Sequence, residues 1–150
     1  MPETMNDPAI DEIPGSDSEL AALLAQAGLP TDDLDLSGRQ FFRFRDGGAL
    51  VGFIGWEAVN DTHALLRSFV VVPHRRDQGL GLEIARWALT RLAELGFTDA
   101  WILTTTAEAL ALRLGFARAD RETAPAAIRQ SRQFAGLCPA SATLLHRSLP

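Results

Sequence analysis

The segment that most constrains this chain reads Val70-Val71-Val72-Pro73-His74-Arg75-Arg76-Asp77-Gln78-Gly79-Leu80-Gly81. An apolar strand ends, a loop with two arginines and two glycines follows, and an amphipathic helix begins at about Leu82. Such a loop aims the unpaired N–H groups of the helix, and the positive end of its dipole, at one point in space. A point of that kind binds phosphate. Gly79 and Gly81 keep Cβ atoms away from the anion, and Arg75 and Arg76 add charge. The competing reading is an ordinary turn whose glycines only allow tight packing; two arginines crowding the same turn speak against it. The glycine spacing is neither that of a dinucleotide-binding turn nor that of a Walker loop.

The flanking pattern supplies a sheet. Gln40 to Arg45 alternates, with Phe42 and Phe44 on one face and Arg43 and Arg45 on the other. Asp46-Gly47-Gly48 predicts a hairpin turn and Ala49 to Glu57 the returning strand. His63 to Val72 is apolar enough to be a central strand covered on both sides, with Arg67 on the face of Leu65 and Phe69. Leu82 to Leu95 carries one apolar stripe and stops at Gly96. Trp101 to Thr106 predicts a strand and Ala107 to Leu114 a short helix closed by Gly115. A strand from Phe116, a helix around Pro125 to Phe134 and a last strand from Ala142 to Arg147 complete the pattern. Near the start, Ser16 or Ser18 caps a helix reaching about Ala27, and Gly28 and Pro30 stop it. Residues 1–15, acidic and carrying three prolines, read as a mobile tail; residues 31–38 read as an acidic connector. The expectation is one domain, residues 16–150, of mixed α/β (α+β) class, with a mostly antiparallel sheet and helices on both faces.

Composition excludes several functions. A net charge of −5 argues against a nucleic-acid partner, which needs a concentrated basic face. All 14 basic residues are arginine, which rules out a lysine Schiff base and a Walker lysine. The single cysteine, Cys138, permits no internal disulfide and no cysteine-rich zinc site, so no metal is expected. No apolar run is long enough to span a bilayer, and the first residues lack the basic start and apolar core of a signal peptide. These features predict a soluble, cytoplasmic protein with no membrane partner.

Two motifs carry a resemblance. Val71-Val72-Pro73-x-x-Arg76-x-x-Gly79-x-Gly81 resembles the pyrophosphate-binding motif of GNAT acetyltransferases. Ala107 to Leu114-Gly115-Phe116 is similar to that family's second signature, a short helix ending in Leu-Gly-Phe. The likeness covers about Gln40 to Arg147. More narrowly, Phe41-Phe42-Arg43-Phe44, Leu65-Leu66-Arg67-Ser68, Thr104-Thr105-Thr106-Ala107 and Leu137-Cys138-Pro139-Ala140-Ser141-Ala142 resemble the branch associated with arsenic-resistance operons.

The resemblance implies a fold in which His63–Val72 splays in a V from Trp101–Thr106. The cosubstrate would be acetyl-CoA. Its pantetheine arm would pair with Phe69, Val70 and Val71, and its pyrophosphate would lie on the amides of Gln78, Gly79, Gly81 and Leu82 beside Leu80, Arg75 and Arg76. Leu112 and the hydroxyls of Thr105 and Thr106 would flank the arm. The implied reaction is direct transfer of acetyl to the amine of a small, anionic, amino-acid-like substrate, and for the narrower branch one carrying an arsinate or phosphinate group, in detoxification. At one place the chain departs from the family. The usual thiolate-protonating tyrosine is replaced by Ala111, and there is no tyrosine anywhere. Ser68, Cys138 and Ser141 are candidate donors in its stead, and the gap also admits a non-catalytic module that senses acyl-CoA. An interaction protein with an incidental phosphate loop is a third reading.

Single residues have bland readings too. Arg67 inside an apolar strand is either a clamp for a substrate anion or half of a structural ion pair, with Glu57 as the candidate partner. Arg43 either joins the clamp or lies on a solvated face. Glu57 is a general base or a partner for arginine. Cys138 is a proton donor, a metalloid-contacting thiol or a plain buried cysteine. Trp87, on the polar side of its helix, predicts either a homodimer contact or packing under the N-terminal tail.

Overall fold

The computed structural model of the chain describes residues 5–76, 79–131 and 142–150. Among them the chain order is β1 (Pro8–Ile13), α1 (Ser18–Gln26), β2 (Arg39–Asp46), β3 (Ala49–Ala58), β4 (His63–Val71), α2 (Leu80–Glu94), β5 (Asp99–Thr104), α3 (Glu108–Arg113), β6 (Ala117–Arg118), α4 (Ala126–Arg129) and β7 (Thr143–Ser148). The seven strands form one sheet in the order β1-β2-β3-β4-β5-β7-β6. Every neighbouring pair is antiparallel except β4 with β5. That pair is joined through α2, the crossover that parallel strands require.

Helices cover both faces. On one, Phe42, Phe44, Ile54, Trp56 and Leu66 pack against Leu80, Ile84, Ala88 and Leu92 of α2 and Ala111 of α3. On the other, Leu20, Leu23 and Leu24 of α1 pack on Phe41, Phe53 and Val70, and farther along Ile128 of α4 packs with Leu65, Trp101 and Leu103. β4 lies fourth of seven, so its continuous apolarity has the predicted cause.

Four expectations need correction. Pro8–Ile13 is an edge strand, pairing with β2 from Pro8↔Asp46 to Ile13↔Phe41, where residues 1–15 read as a tail. An outermost strand tolerates proline and charge, and its missing apolar alternation hid it. The cap of α1 is Asp17, which accepts from Leu20 N–H at 3.0 Å, not Ser16 or Ser18. Trp87, read on the polar side of its helix, packs its ring toward the sheet, with centroids 4.9 Å from Phe42 and 5.2 Å from Phe44. Finally, Arg67 and Phe69 do not share a face. The β3–β4 register shifts between Gly55↔Arg67 and Phe53↔Val70, placing Ser68 and Phe69 of β4 against the single residue Ile54 of β3. At this bulge Ser68 sits at φ 55°, the only described non-glycine residue with positive φ. One extra residue reverses side-chain alternation. Leu65 and Arg67 therefore face α1 and α4, whereas Phe69 and Val71 face α2.

Candidate active site

The β4–β5 ladder ends at Leu66↔Ile102, and beyond it the strands part. A cavity of about 110 Å³ fills the gap. Its α2-side wall includes Phe69, Ala85, Leu110 and Ala111; on the α1 side it meets Leu29, Pro30, Arg67 and Ser68. The cavity thus runs through the sheet from one face to the other. The peptide groups of β4 past Leu66 have no strand partner toward β5 among the described residues. They are donors and acceptors left for a ligand lying along the strand.

The α2 end opens onto the glycine loop. Gly79 caps α2 at φ 79°, a conformation that costs a side-chain-bearing residue but not glycine. At Gly81 an added Cβ would come 3.3 Å from Phe69 Cζ and 3.7 Å from Val71 Cγ2, so glycine keeps the first turn of α2 close to β4. The first N–H groups of this 15-residue helix are offered there. Leu80 and Leu82 bury their side chains in the core, and Val70 does so on the far face; each presents only backbone to the cleft. Arg76 donates from Nε to Val71 O at 2.9 Å and Arg75 lies 3.5 Å from Asp46 Oδ2. Of the other residues expected around the arm, Thr106 lines the cavity, Thr105 is exposed beside it and Leu112 is exposed on α3. Gln78, Cys138 and Ser141 lie outside the described residues.

The α1 side holds a buried charge cluster. Arg67 grips Asp33 with both terminal nitrogens, each at 2.5 Å, and its Nε donates to Ser68 Oγ at 3.3 Å. Asp33 is fully buried and also accepts from Arg39 at 2.9 Å. Glu57 completes the group, 3.4 Å from Arg39 and 3.8 Å from Arg67, with its Oε1 lacking a hydrogen-bond partner. Burial drives the Asp33 carboxyl upward, but the hydrogen bonds and charge of Arg67, reinforced by Arg39, outweigh it and hold the carboxyl below its ordinary range. Burial wins at Glu57: its carboxyl is pushed up, only partly offset by Arg39 and Arg67 and aided by the nearby Asp33 charge. Of the arginine and acid candidates, only Arg67 reaches the cavity; Glu57 touches it through Arg67. Arg43 is held elsewhere, 3.0 Å from Asp17 and 3.6 Å from Glu19 at the start of α1.

Sequence reasoning passed over Asp33 as part of an acidic connector. The available signal was Arg67 itself, since an arginine in a buried strand requires a carboxylate. Thr104 was missed as well. Its Oγ1 accepts from Thr106 N–H at 3.1 Å and Ala107 N–H at 2.9 Å, and the residue lines the cavity.

Two adjacent strands thus splay around a cavity lined from both faces of the sheet, with a glycine-capped helix start at one mouth. The profile of the acetyltransferase (GNAT) family matches residues 8–116, and the chain belongs to that family. No curated protein matches it significantly. Among solved structures, N-acetylglutamate synthase from Neisseria gonorrhoeae, complexed with coenzyme A and N-acetyl-glutamate, is similar at TM-score 0.78 and 18% identity. That match covers 98% of this chain and 36% of the synthase, so the chain spans about a third of that protein. IAA acetyltransferase from Bacillus cereus matches at TM-score 0.70 and 15% identity, over 95% of this chain and 100% of that one. An aminoglycoside 6'-N-acetyltransferase complexed with coenzyme A matches at 0.67 and 14%, over 95% and 98%. Among the described residues no cluster of His, Cys, Asp or Glu is placed to hold a metal ion, and no helix is long and apolar enough to cross a membrane.

Proposed function

We propose that the chain is an acetyl-CoA-dependent N-acetyltransferase that transfers acetyl directly to the amine of a small, amino-acid-like acceptor. The observation that carries this reading is the cavity running through the sheet at the β4–β5 splay. It lets a thioester arrive from the glycine-loop side while an amine approaches from the Arg67 side. The pyrophosphate rests on the N–H groups that open α2, with Gly79 and Gly81 keeping side chains out of its way. The pantetheine arm lies along the unpaired edge of β4 past Leu66. The bulge at Ser68 breaks the regular run of peptide groups beside the gap, and an N–H there stabilises the charge that grows on the carbonyl oxygen.

On the acceptor side Arg67 is the one charged group at the cavity wall among the described residues. Asp33 holds both terminal nitrogens of its guanidinium and Ser68 its Nε, and the charge of that group at the cavity wall favours an acidic head on the acceptor. The Neisseria neighbour, solved with N-acetyl-glutamate, shows that this fold accommodates an amino-acid product in that protein. The resemblance to the arsenic-operon branch narrows the acceptor to an amino-acid analogue with an arsinate or phosphinate head.

The test is thiol release from acetyl-CoA across a panel of amino acids and their phosphinate and arsinate analogues. An anionic analogue is expected to be the best acceptor. Arg67→Lys keeps a charge but loses the planar fork, and should raise KM for that acceptor while sparing KM for acetyl-CoA. Equal effects on both would remove Arg67 from acceptor binding. Ala111 favours a second reading, an acyl-CoA sensor without turnover; tight acetyl-CoA binding with no turnover across the whole panel would establish it.

A further inference from the structure

We propose that Thr104 is a catalytic residue whose hydroxyl donates a hydrogen bond to the coenzyme A sulfur as the thioester opens. The proposal rests on the acetyltransferase reading above and fills the place that Ala111 leaves empty. Ala111 lines the cavity with a methyl group and has no proton to offer.

Register sets the height. Leu66 and Ile102 are the last parallel partners, and Ser68 and Thr104, two residues farther along each strand, both line the cavity that opens there. Ser68 is the bulge, where the acyl carbonyl meets the free peptide groups of β4. The scissile bond therefore lies between these two residues.

Side-chain direction sets the face. Along β5, Trp101 and Leu103 pack on the α4 side, whereas Ile102 packs with the α2 core. Thr104 shares the face of Ile102, the side from which the cofactor arm arrives. Ser68 belongs to the opposite side, since its Oγ receives Arg67 Nε–H at 3.3 Å.

Hydrogen bonding sets the proton. A threonine hydroxyl has two lone pairs and one hydrogen. Thr104 Oγ1 already receives two backbone N–H groups, from Thr106 and Ala107. Its remaining capacity is to donate, away from those amides and toward the cavity it lines. Two incoming bonds also polarise the O–H and strengthen it as a donor. Thr106, the third hydroxyl on the cavity wall, is exposed and has its N–H, not its hydroxyl, engaged with Thr104.

In the step itself the amine nitrogen bonds to the carbonyl carbon and its surplus proton passes to water at the acceptor mouth. The C–S bond breaks and its electron pair goes to sulfur. Thr104 keeps its proton and shares it in a hydrogen bond to the thiolate, which takes a proton from solvent after release.

The experiment titrates the thiol of coenzyme A bound to the full chain, followed by thiolate absorbance, in the wild type and in Thr104→Val and Thr104→Ser. Calorimetry on the unaltered chain comes first; absence of coenzyme A binding there would defeat the acetyltransferase reading and this proposal with it. Given binding, the bound thiol should ionise at lower pH than free coenzyme A in the wild type and in Thr104→Ser. Thr104→Val should move it back up by roughly one to two pH units, the worth of a hydrogen bond to a charged group. The same variant should lower kcat about 10- to 100-fold. If Thr104→Val only lowers thermal stability and leaves the thiol titration where it was, Thr104 only holds the turn before α3 and the proposal is overturned.

Discussion

The two faces of the sheet meet at one cavity and treat charge in opposite ways. Toward α2 and α3 the wall is apolar side chains and bare backbone: Phe69, Ala85, Leu110, Ala111 and the glycine-capped start of a helix. In the proposed function recognition there uses peptide N–H groups, which need no burial of a formal charge. Toward α1, Asp33, Arg39, Glu57 and Arg67 are withdrawn from solvent and satisfied mainly by one another. A backbone site tolerates changes of side chain but not of shape. A buried ionic site tolerates changes of shape poorly and loss of a partner worse.

That contrast can be broken most severely at Asp33. Asp33→Ala leaves Arg67 buried without its fork and should destabilise the fold by about 3–5 kcal/mol, measured by denaturant unfolding. A double replacement, Asp33→Leu with Arg67→Met, should recover much of that loss; no recovery would mean that the cluster stabilises the fold as a net term. Next comes the backbone side. Gly81→Val should push into Phe69 and Val71 and raise Kd for coenzyme A about 10- to 100-fold. An unchanged Kd would show that the loop does not hold the cofactor.

Acid sharpens the comparison further. The Asp33 carboxyl titrates below its ordinary range, so its contribution is whole above about pH 4 and fades as pH falls through its lowered value. Asp33→Asn should therefore flatten the acid limb of the stability curve. The Glu57 carboxyl is raised; the folded chain holds that proton more tightly, and its contribution fades as pH rises from its ordinary value toward the raised one. Relative to the wild type, Glu57→Gln should gain stability over that rise, and a parallel pair of curves would contradict the assignment. The smallest expected effect is at Asp17, where loss of the α1 cap in Asp17→Ala should cost about 1 kcal/mol.

The same contrast explains what could be read from the residues alone. The glycine loop is contiguous, and its shape needs only a strand, two glycines and a helix start in order, so the residues from Val70 to Gly81 predicted that strand-to-helix turn. The central place of β4, the hairpin at Gly47-Gly48 and the helix closed by Gly96 are likewise local. The charge cluster joins residues 33, 39, 57 and 67, and periodicity carries no trace of such a meeting. Arg67 showed that a partner had to exist, but Glu57 was the nearer guess and Asp33 the tighter one. The bulge at Ser68 was invisible for another reason. An apolar run without alternation offers no phase from which to detect a slip. Pro8–Ile13 escaped because an outer strand has only one edge to satisfy, and β2 supplies its partner.

The kink at Ser68 also limits how genes for this chain can vary. Deleting one codon there would remove the extra residue and set Phe69 against Ile54, leaving every later side chain on the face it already holds but abolishing the kink. Exchanging the residue keeps the bulge, at a cost set by its left-handed backbone at φ 55°. At this position length decides whether the kink exists at all.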